Sequence, residues 1–256
     1  VLTGTLIEGT LSVGEEAMLY PGERPARVRN LQVHGEDVET AYAGSRVAVN
    51  LAGLKKTDVE KGDVLAAAGS LRDTLMLDAR LRVLPDSGRV IESGDRLHLY
   101  HGARTVLCKA VLLDRDVLQP GESGLAQLRL NEPVAAKKKD AFVVRFYSPL
   151  ETIGGGVILD ESPVRHKRHD AAVIEALAVL ESGSDEQRVL KVLSTCGEKW
   201  KSVQDAAAAL GMKGEELAPL AAELEEAGQI RAYGKNRYLT EENLLPIRRK
   251  LAALLE

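Results

Sequence analysis

The sequence is poor in the groups on which disulfide-linked domains, zinc sites and membrane spans depend. Its two cysteines, Cys108 and Cys196, are far apart and lack C-x-x-C spacing. A disulfide framework or a metal site of cysteines is therefore not expected, and the usage is typical of the reducing cytosol. No window approaches ~18 uninterrupted apolar residues, which argues against a spanning helix and a membrane partner.

An excess of positive charge is also missing. The formal net charge is −4, and no third of the chain is basic overall. A protein that coats nucleic acid through charge alone is therefore excluded. Any contact with nucleic acid must come from local groups, such as residues 137–139 (KKK) or residues 165–169 (RHKRH).

The usual signatures of catalysis are absent too. No G-x-x-x-x-G-K-[ST] phosphate loop occurs, and the glycine cluster at residues 154–156 precedes a predicted strand rather than a helix. His98 and His101 are three residues apart on a predicted strand, so they face opposite sides and are expected to be surface histidines rather than metal ligands. The sequence predicts no catalytic residue, no metal site and no cofactor within this chain.

Short β runs fill the first 160 residues or so. They are separated by turn signals, such as residues 20–22 (YPG) and 119–122 (QPGE), at roughly the 8–12-residue spacing of barrels and sandwiches. Closed barrels suit many strands in a small domain, because closure leaves no exposed edge. A break at residues 66–70 (AAAGS) predicts one barrel over residues 1–69 and a second over residues 70–163.

Helical periodicity begins near Arg168. Helices are predicted up to Ser182, after Ser184, over residues 203–210 and over residues 215–227, with Gly228 as a left-handed stop residue. Residues 229–239 then predict two strands around residues 234–236. This order favours a winged-helix domain over residues 164–240, with residues 241–256 as the start of a following helical unit. The predicted fold class is mainly β with an α C-terminal part.

Both ends of the chain indicate a piece of a longer molecule. Residues 1–9 (VLTGTLIEG) have the pattern of a strand that is already under way. The last helical stretch, residues 244–256, has no partner within the sequence. We therefore expect further domains upstream and downstream.

With two barrels predicted, the residues resemble those of a known superfamily. Residues 1–9, 47–54 (VAVNLAGL) and 59–65 (VEKGDVL) resemble the second domain of translational GTPases such as elongation factor Tu, and residues 120–123 (PGES) and 152–157 (TIGGGV) resemble the third. Within that superfamily, four features resemble the selenocysteine-specific elongation factors. These are residues 27–35 (RVRNLQVHG), 38–46 (VETAYAGSR), 96–102 (RLHLYHG) and the appended winged helix.

This resemblance implies that the chain contains no catalytic domain and takes part in the reaction cycle of a longer GTPase. A GTPase domain that binds GTP and Mg²⁺ would precede Val1. Together with the barrels, it would carry selenocysteinyl-tRNA to a cytoplasmic ribosome at a recoded UGA codon. In the family the last winged helix binds a messenger stem-loop, so that module is expected beyond Glu256.

The resemblance also implies a pocket for the aminoacylated 3′ end of the tRNA on the first barrel. Arg46 matches a pocket-lining position and would pair with an ionised selenol; otherwise it is a solvated arginine on a strand edge. His34 would stack on the terminal adenosine or donate to the selenolate, or it is simply a turn residue beside Gly35. Thr3 and Gln32 match other lining positions, although Thr3 also suits a plain strand.

On the second barrel, the resemblance implies contacts with the T-arm of the tRNA. Gly154, Gly155 and Gly156 would allow close approach of the backbone, or they form a tight turn with positive φ. Arg145 and the run Lys137, Lys138 and Lys139 would meet phosphates, although the lysines also suit a solvated loop. Elongation factor Tu has a lysine near the position of Leu125, so these contacts do not transfer residue by residue.

The predicted recognition helix, residues 215–227, is acidic and would repel a phosphate backbone. The winged helix is therefore interpreted as a spacer, with its basic groups on the wing at Arg231, Lys235 and Arg237. Two alternatives remain: another tRNA-delivering translational GTPase, and a winged-helix regulator that binds nucleic acid.

Overall fold

The computed structural model describes residues 1–194, 201–210, 212, 214–233 and 237–255. Cys196 and the predicted wing residues 234–236, which include Lys235, lie outside the described residues. The described chain is mostly β up to Asp160 and mostly helical after it. The predicted fold class, mainly β with an α C-terminal part, is confirmed.

The first β unit is a six-stranded sheet beside a two-stranded one. Its strands are β1 (Leu2–Thr5), β2 (Thr10–Ser12), β3 (Glu16–Tyr20), β4 (Arg24–Val33), β5 (Glu36–Val38), β6 (Thr40–Tyr42), β7 (Arg46–Ala52) and β8 (Val64–Ala66). The large sheet has the order β1-β7-β4-β3-β8, with β5 paired to β4, and β2 pairs with β6. Val28 and Leu31 of β4 and Val47 and Val49 of β7 point into the core. The period-two alternation holds along β7, and in β4 it shifts at the irregularity between Val28 and Asn30.

The second β unit is a closed six-stranded barrel with a two-stranded sheet beside it. Its strands are β9 (Asp73–Val83), β10 (Ile91–Glu92), β11 (Arg96–His101), β12 (Arg104–Leu112), β13 (Val117–Leu118), β14 (Ser123–Ala135), β15 (Ala141–Phe146) and β16 (Thr152–Asp160). The barrel order is β11-β12-β14-β9-β16-β15, and β10 pairs with β13 outside it. Its interior is filled by a large apolar cluster that includes Leu77, Leu97, Leu112 and Val144.

Gly154, Gly155 and Gly156 lie inside β16, so the interpretation as a tight turn with positive φ was wrong. None of the three has a positive φ. A Cβ added at Gly154 would lie 2.2 Å from the carbonyl oxygen of Arg82. A Cβ added at Gly156 would lie 2.0 Å from the carbonyl oxygen of Arg80. The glycines are needed because β16 approaches its neighbours too closely for a side chain.

A buried ion pair joins the two β units. Arg104 Nη1 lies 2.9 Å from Asp63 Oδ1, and their side chains are only 11% and 4% exposed. Gly62 packs directly on Arg104, so closely that a Cβ at Gly62 would lie 2.5 Å from Arg104 Cα. Tyr20, Leu71 and Ala135 form an apolar cluster across the same junction. The two β units are therefore packed against each other. Separating them would break the ion pair, and removing one of its partners would leave a buried, unpaired charge.

The helical part contains five helices and a small sheet among the described residues. The elements are α1 (Ala171–Ser182), α2 (Asp185–Ser194), β17 (Lys201–Ser202), α3 (Val203–Leu210), α4 (Gly214–Glu226), β18 (Ile230–Ala232), β19 (Arg237–Thr240) and α5 (Glu241–Leu255). From α2 to β19 this is the order of a winged helix, with sheet order β17-β19-β18. Its core is a single apolar cluster that includes Val189, Leu210, Leu224 and Ile230.

Helix α1 packs on the second barrel instead of joining the winged-helix core. Leu177 shares a cluster with Val111, Leu113, Leu125 and Leu159 of the barrel. These barrel residues point outward, because their strand neighbours fill the interior. We therefore propose that the boundary of the winged-helix unit falls after α1, near Gly183, rather than at residue 164.

The basic run at residues 165–169 lies against the barrel as a strap. His166 Nε2 is 2.7 Å from Asp78 Oδ2, and Arg168 Nε donates to the carbonyl of Leu112 at 3.1 Å. Arg168 also pairs with Asp116. At least His166 and Arg168 are therefore engaged with the protein itself, which weakens the expectation that this run contacts nucleic acid.

The strap is anchored at a fully buried carboxyl group. The Asp78 side chain is 0% exposed, and Gln127 Nε2 donates both to Asp78 Oδ1 at 3.0 Å and to the carbonyl of Val164 at 2.9 Å. Burial raises the pKa of Asp78 to about 6, although His166 and Gln127 act in the opposite direction. Burying a carboxyl group costs free energy, and the hydrogen bonds from Gln127 and His166 offset part of that cost.

Replacing Gly156 with alanine is expected to destabilise the barrel by about 1–3 kcal/mol or more, because the new methyl group would overlap the carbonyl of Arg80. Urea unfolding followed by circular dichroism measures the loss. Gly88→Ala is the matched control, since nothing lies within 4 Å of a Cβ at Gly88 and its φ is not positive. Equal stability of the two variants would contradict the close-approach argument.

An Asp78→Asn variant is expected to change how stability depends on pH. The pKa of Asp78 in the folded protein, about 6, exceeds the ordinary aspartate value of 3.8. The contribution of Asp78 to stability is therefore fully present below pH ~4 and is lost as the pH rises through ~6. Relative to the variant, the wild type should lose up to about 3 kcal/mol of unfolding free energy over this window.

Urea titrations at several pH values between 4 and 7 measure this difference. Asp86→Asn provides the control, because Asp86 is an exposed carboxyl group in the same unit. If the wild-type and Asp78→Asn stability curves run parallel, the buried carboxyl group is not the titrating anchor.

Candidate nucleic-acid interface

The register of three strands, β1, β7 and β4, brings Thr3, Gln32 and Arg46 into two neighbouring rows. Thr3 pairs with Ala48 across β1 and β7, and Ala48 pairs with Gln32 across β7 and β4. Two residues further along β1, Thr5 pairs with Arg46. Residues two apart on a strand share a face, so Thr3, Gln32 and Arg46 lie on the same outer face of the sheet.

A shallow cavity of about 330 Å³ lies on this face. All four residues that the resemblance implies for the 3′-end pocket contribute to it. Its lining consists of Thr3, Gln32, His34, Gly35, Arg46, Val47 and Ala48. The structure thus brings together residues that are up to 45 positions apart in the sequence.

The turn between β4 and β5 fixes His34 at the rim of this cavity. Val33 pairs with Glu36, which leaves a two-residue loop of His34 and Gly35 with φ values of 56° and 87°. Positive φ at both central residues is the mark of a type I′ hairpin turn. His34 is therefore both a turn residue and a lining residue, so its two interpretations are compatible.

Sequence reasoning missed Asp37, whose carboxylate hydrogen-bonds to Gln32 in the cavity lining. Its Oδ1 accepts hydrogen bonds from Asn30 Nδ2 and Gln32 Nε2, both at 2.9 Å. These two hydrogen bonds, Asn30 first, lower the pKa of Asp37. Because Gln32 donates to Asp37, its carbonyl oxygen is oriented as a free acceptor. The hairpin pairs Gln32 with Asp37, so recognition of the two-residue turn would have revealed this contact.

Arg46 supplies the positive charge of the cavity. Arg46 is exposed at the start of β7. Other arginines, such as Arg80, Arg104 and Arg168, form ion pairs, whereas the guanidinium of Arg46 forms none with the described residues. An arginine in this state can bind an anionic group bidentately without first breaking an internal contact.

The candidate T-arm residues of the second barrel are not brought together into one site. Arg145 lies near the Thr152 end of the β15–β16 hairpin, whereas Lys139 lies at the other end, where its N–H donates to Ile158 O. Lys137 pairs with Glu8 at 2.8 Å. Residues 154–156 lie within the strand between these ends.

Arg145 belongs to a group of cationic and aromatic side chains on the outer face of β11 and β15. Its guanidinium carbon lies 5.7 Å from the centre of the Tyr100 ring. His98 stacks on the half-exposed Tyr147 at 5.6 Å. Cations interleaved with aromatic rings are a common basis for contact with RNA. His101, by contrast, is only 14% exposed and pairs with Asp140, so the prediction that it is a surface histidine was wrong.

In the winged-helix unit, a basic side chain of the predicted wing is engaged within the protein, and helix α4 is acidic at both ends. Arg231 on β18 pairs with Glu241 at 3.1 Å. Helix α4 begins with Glu215 and Glu216 and ends with Glu225 and Glu226. No group of three or more potential metal ligands occurs in the described part of the chain. None of the helices described is long and apolar enough to span a membrane.

Comparisons with known proteins identify relatives for both β units. Residues 1–66 match the family model of elongation factor Tu domain 2, and residues 78–165 match that of the β-barrel domain of the selenocysteine-specific elongation factor. The selenocysteine-specific elongation factor of Desulfomicrobium baculatum is 38% identical over 197 residues, which are 77% of this chain and 31% of that protein. The Escherichia coli (strain K12) factor is 28% identical over 233 residues, 91% of this chain and 35% of that protein.

A solved structure extends the likeness to almost the whole chain. The crystal structure of a bacterial selenocysteine-specific elongation factor superposes with a TM-score of 0.75 at 22% identity, covering 99% of this chain and 39% of that one. At that identity the likeness supports the fold. The chain spans about a third of the length of these relatives. The predicted resemblance to selenocysteine-specific elongation factors is confirmed.

Proposed function

We propose, from the resemblance to selenocysteine-specific elongation factors, that this chain supplies the tRNA-binding β units of such a factor. In this proposal the cavity around Arg46 receives the selenocysteine and the terminal adenosine of selenocysteinyl-tRNA. The observation that carries the proposal is the convergence of Thr3, Gln32, His34 and Arg46 on one cavity.

Charge is the property by which the cavity would select its amino acid. A selenol is largely ionised at neutral pH, whereas the hydroxyl group of serine is neutral. An ion pair at ~4 Å has about 4 kcal/mol of Coulomb energy at an effective dielectric of ~20, much of it offset by desolvation. A net gain of only ~1.4 kcal/mol gives about tenfold discrimination.

The neighbouring groups would serve the rest of the 3′ end. His34 can stack on the adenine or donate to the selenolate, since the turn holds its backbone at the rim. The carbonyl oxygen of Gln32, oriented by Asp37, can accept from a ribose hydroxyl or from the α-ammonium group. Thr3 adds a hydroxyl group on the far side of the same row.

The outer face of the second barrel is the proposed contact for the T-arm. Arg145, Tyr100, His98 and Tyr147 supply cation and ring surfaces there. Residues 154–156 pair with residues 142–144, and their contacts with β9 and β15 already account for the glycines. Of the lysine run, Lys137 is engaged with Glu8, so it would have to exchange partners to meet a phosphate.

The remaining steps of the cycle are assigned to other parts of the factor. GTP and Mg²⁺ would bind a GTPase domain outside this chain, and delivery of the tRNA would take place on the cytoplasmic ribosome at a recoded UGA codon. The messenger stem-loop would be bound by a more C-terminal module. The winged helix would act as a spacer, because the glutamates of α4 disfavour a phosphate backbone.

Two other functions make different predictions. A different tRNA-delivering GTPase would use the same barrels without a preference for selenocysteine. A winged-helix regulator would bind a nucleic-acid duplex tightly and in a salt-sensitive manner through residues 164–255. The acidic α4 and the pairing of Arg231 with Glu241 count against the regulator.

Replacing Arg46 with alanine is expected to reduce the preference for selenocysteinyl-tRNA over the same tRNA carrying serine by about tenfold. Binding would be measured with the complete factor that contains this chain, loaded with a non-hydrolysable GTP analogue. The loss should appear in the affinity for selenocysteinyl-tRNA, because only the ionised selenol exploits the guanidinium.

Arg29→Ala is the matched control, since Arg29 is an exposed arginine on β4 outside the cavity lining. It removes the same charge and should leave the preference intact. Equal wild-type affinity for the two tRNAs would leave only a generic tRNA-delivering GTPase. A preference that survives in Arg46→Ala would remove Arg46 from the proposed pocket.

A further inference from the structure

A row of positive charge crosses the outer wall of the second barrel, from β11 over β12 to β14. Arg96 pairs with Lys109 across β11 and β12, and Lys109 pairs with Arg129 across β12 and β14. Residues directly opposite each other on neighbouring strands share one face of a sheet. Since neighbouring strands are about 4.8 Å apart, the three cations stand side by side over about 10 Å of the wall.

The strap extends this row. His166 and Arg168 of the strap are bonded to the barrel, whereas Arg165 and Lys167 are exposed. Arg129 Nη2 donates to the carbonyl of His166 at 3.4 Å, so the strap lies beside the cations of the strands. Burial first, and then the like charge of Arg165, lower the pKa of Arg129. The basic band, as we call this surface, consists of Arg96, Lys109, Arg129, Arg165 and Lys167.

None of these five side chains forms an ion pair with the residues that the structure describes. Arg129 Nε donates to Gln127 Oε1 at 3.2 Å, which is a neutral acceptor. Like charges directly opposite each other destabilise a sheet. The band therefore carries uncompensated positive charge, and an anion bound across it would relieve the repulsion.

The carboxylates around the basic band leave it positive. Three of them have cationic partners that do not belong to the band, namely Asp78 with His166, Asp114 with Arg115 and Asp116 with Arg168. Asp95 and Glu92 lie at the turn before β11, next to Arg96, where Asp95 accepts the main-chain N–H of Glu92 at 2.8 Å. The positive charge is thus concentrated at Lys109, Arg129 and the strap. The net charge of −4 opposes an anionic ligand only weakly there, because 0.1 M salt screens charges beyond about 10 Å.

The strap end of the basic band lies on the opposite side of the barrel from the proposed T-arm contact. The barrel order is β11-β12-β14-β9-β16-β15, so β14 is three strands from β15 in either direction. In a closed barrel of six strands, three steps lead halfway round. A tRNA bound at Arg145 on β15 therefore leaves Arg129 on β14 and the strap uncovered.

We propose that the basic band binds the sugar–phosphate backbone of a double-stranded RNA other than the tRNA held at the Arg46 cavity. Phosphate oxygens supply both the negative charge and the acceptors for charge-assisted hydrogen bonds. No aromatic residue belongs to the band, whereas sites for single strands stack bases on aromatic rings. The convex wall suits the wide, shallow minor groove of an RNA helix, with phosphates on both sides. This surface goes beyond the proposed function, which uses other faces of the two β units.

The test is a titration of the whole chain with a fluorescent RNA duplex of about 16 base pairs, followed by anisotropy at several salt concentrations. A variant with Lys109→Gln, Arg165→Gln and Lys167→Gln should bind about tenfold or more weakly at low salt. The slope of log K against log salt should fall by about three, one for each lost phosphate contact. All three side chains are exposed, so the fold should persist, which circular dichroism checks. If this variant does not fold, Lys109→Gln alone decides, with a fall of about one in the slope.

A variant with Lys55→Gln, Lys56→Gln and Lys61→Gln is the matched control, because it removes the same charge from exposed lysines of the first β unit. It should bind the duplex like the wild type. An equal loss in this control would reveal a general effect of net charge and overturn the proposal. Equal slopes for the wild type and the band variant would overturn it too.

Two further comparisons identify the surface and the ligand. The loss caused by the band variant should be the same in an Arg145→Gln background, because independent sites give additive effects. A loss that disappears there would assign the duplex to the β11–β15 face instead. A single strand of the same length that binds as tightly as the duplex would contradict the choice of a double helix. Neither aminoacyl-tRNA nor GTP is involved, so a failure here leaves the proposal for the Arg46 cavity unaffected.

Discussion

The close approach of β16 to its neighbours is the constraint on which the rest of the structure depends. Residues 154–156 can lie against the carbonyls of Arg80, Arg82 and Phe142 only because they have no side chains. This contact closes the barrel between β9 and β15. A closed barrel presents a continuous outer wall, and the other parts of the molecule are attached to that wall.

Three attachments follow from this closure, each with its own chemistry. The first unit is held by the buried pair of Arg104 and Asp63. The strap is held by Asp78 with its partner His166. Helix α1 covers the outward apolar residues of β12 and β14. The continuous apolar run at the end of β12 reflects this, since a strand buried on both faces loses its polar alternation.

The sequence predicts what is set by local pattern and misses what is set by contacts between distant residues. Period-two runs and turn signals predict the barrels, and Ser184 with Gln187 predicts the start of α2, where the two residues cap each other reciprocally. The resemblance supplies four of the seven residues that line the cavity. By contrast, Asp78 and His166 are 88 positions apart, and no local pattern indicates their contact. The two-residue strand β17 is also too short to give a periodic signal.

The structure separates charges that maintain the fold from charges that remain for a ligand. Residues 165–169 (RHKRH) form a basic run of the sequence, yet Arg168 and His166 pair with Asp116 and Asp78. Arg46 stands alone in the sequence but lies in a cavity on an outer face. Because the register of β1, β7, β4 and β5 positions that cavity through main-chain hydrogen bonds, its side chains can change with little cost to the sheet. A fold that fixes the positions of side chains while leaving their chemistry variable can carry different amino acids on the same sheet. Under the proposed function, the residue at position 46, rather than the sheet that positions it, would then select which aminoacyl group is accepted.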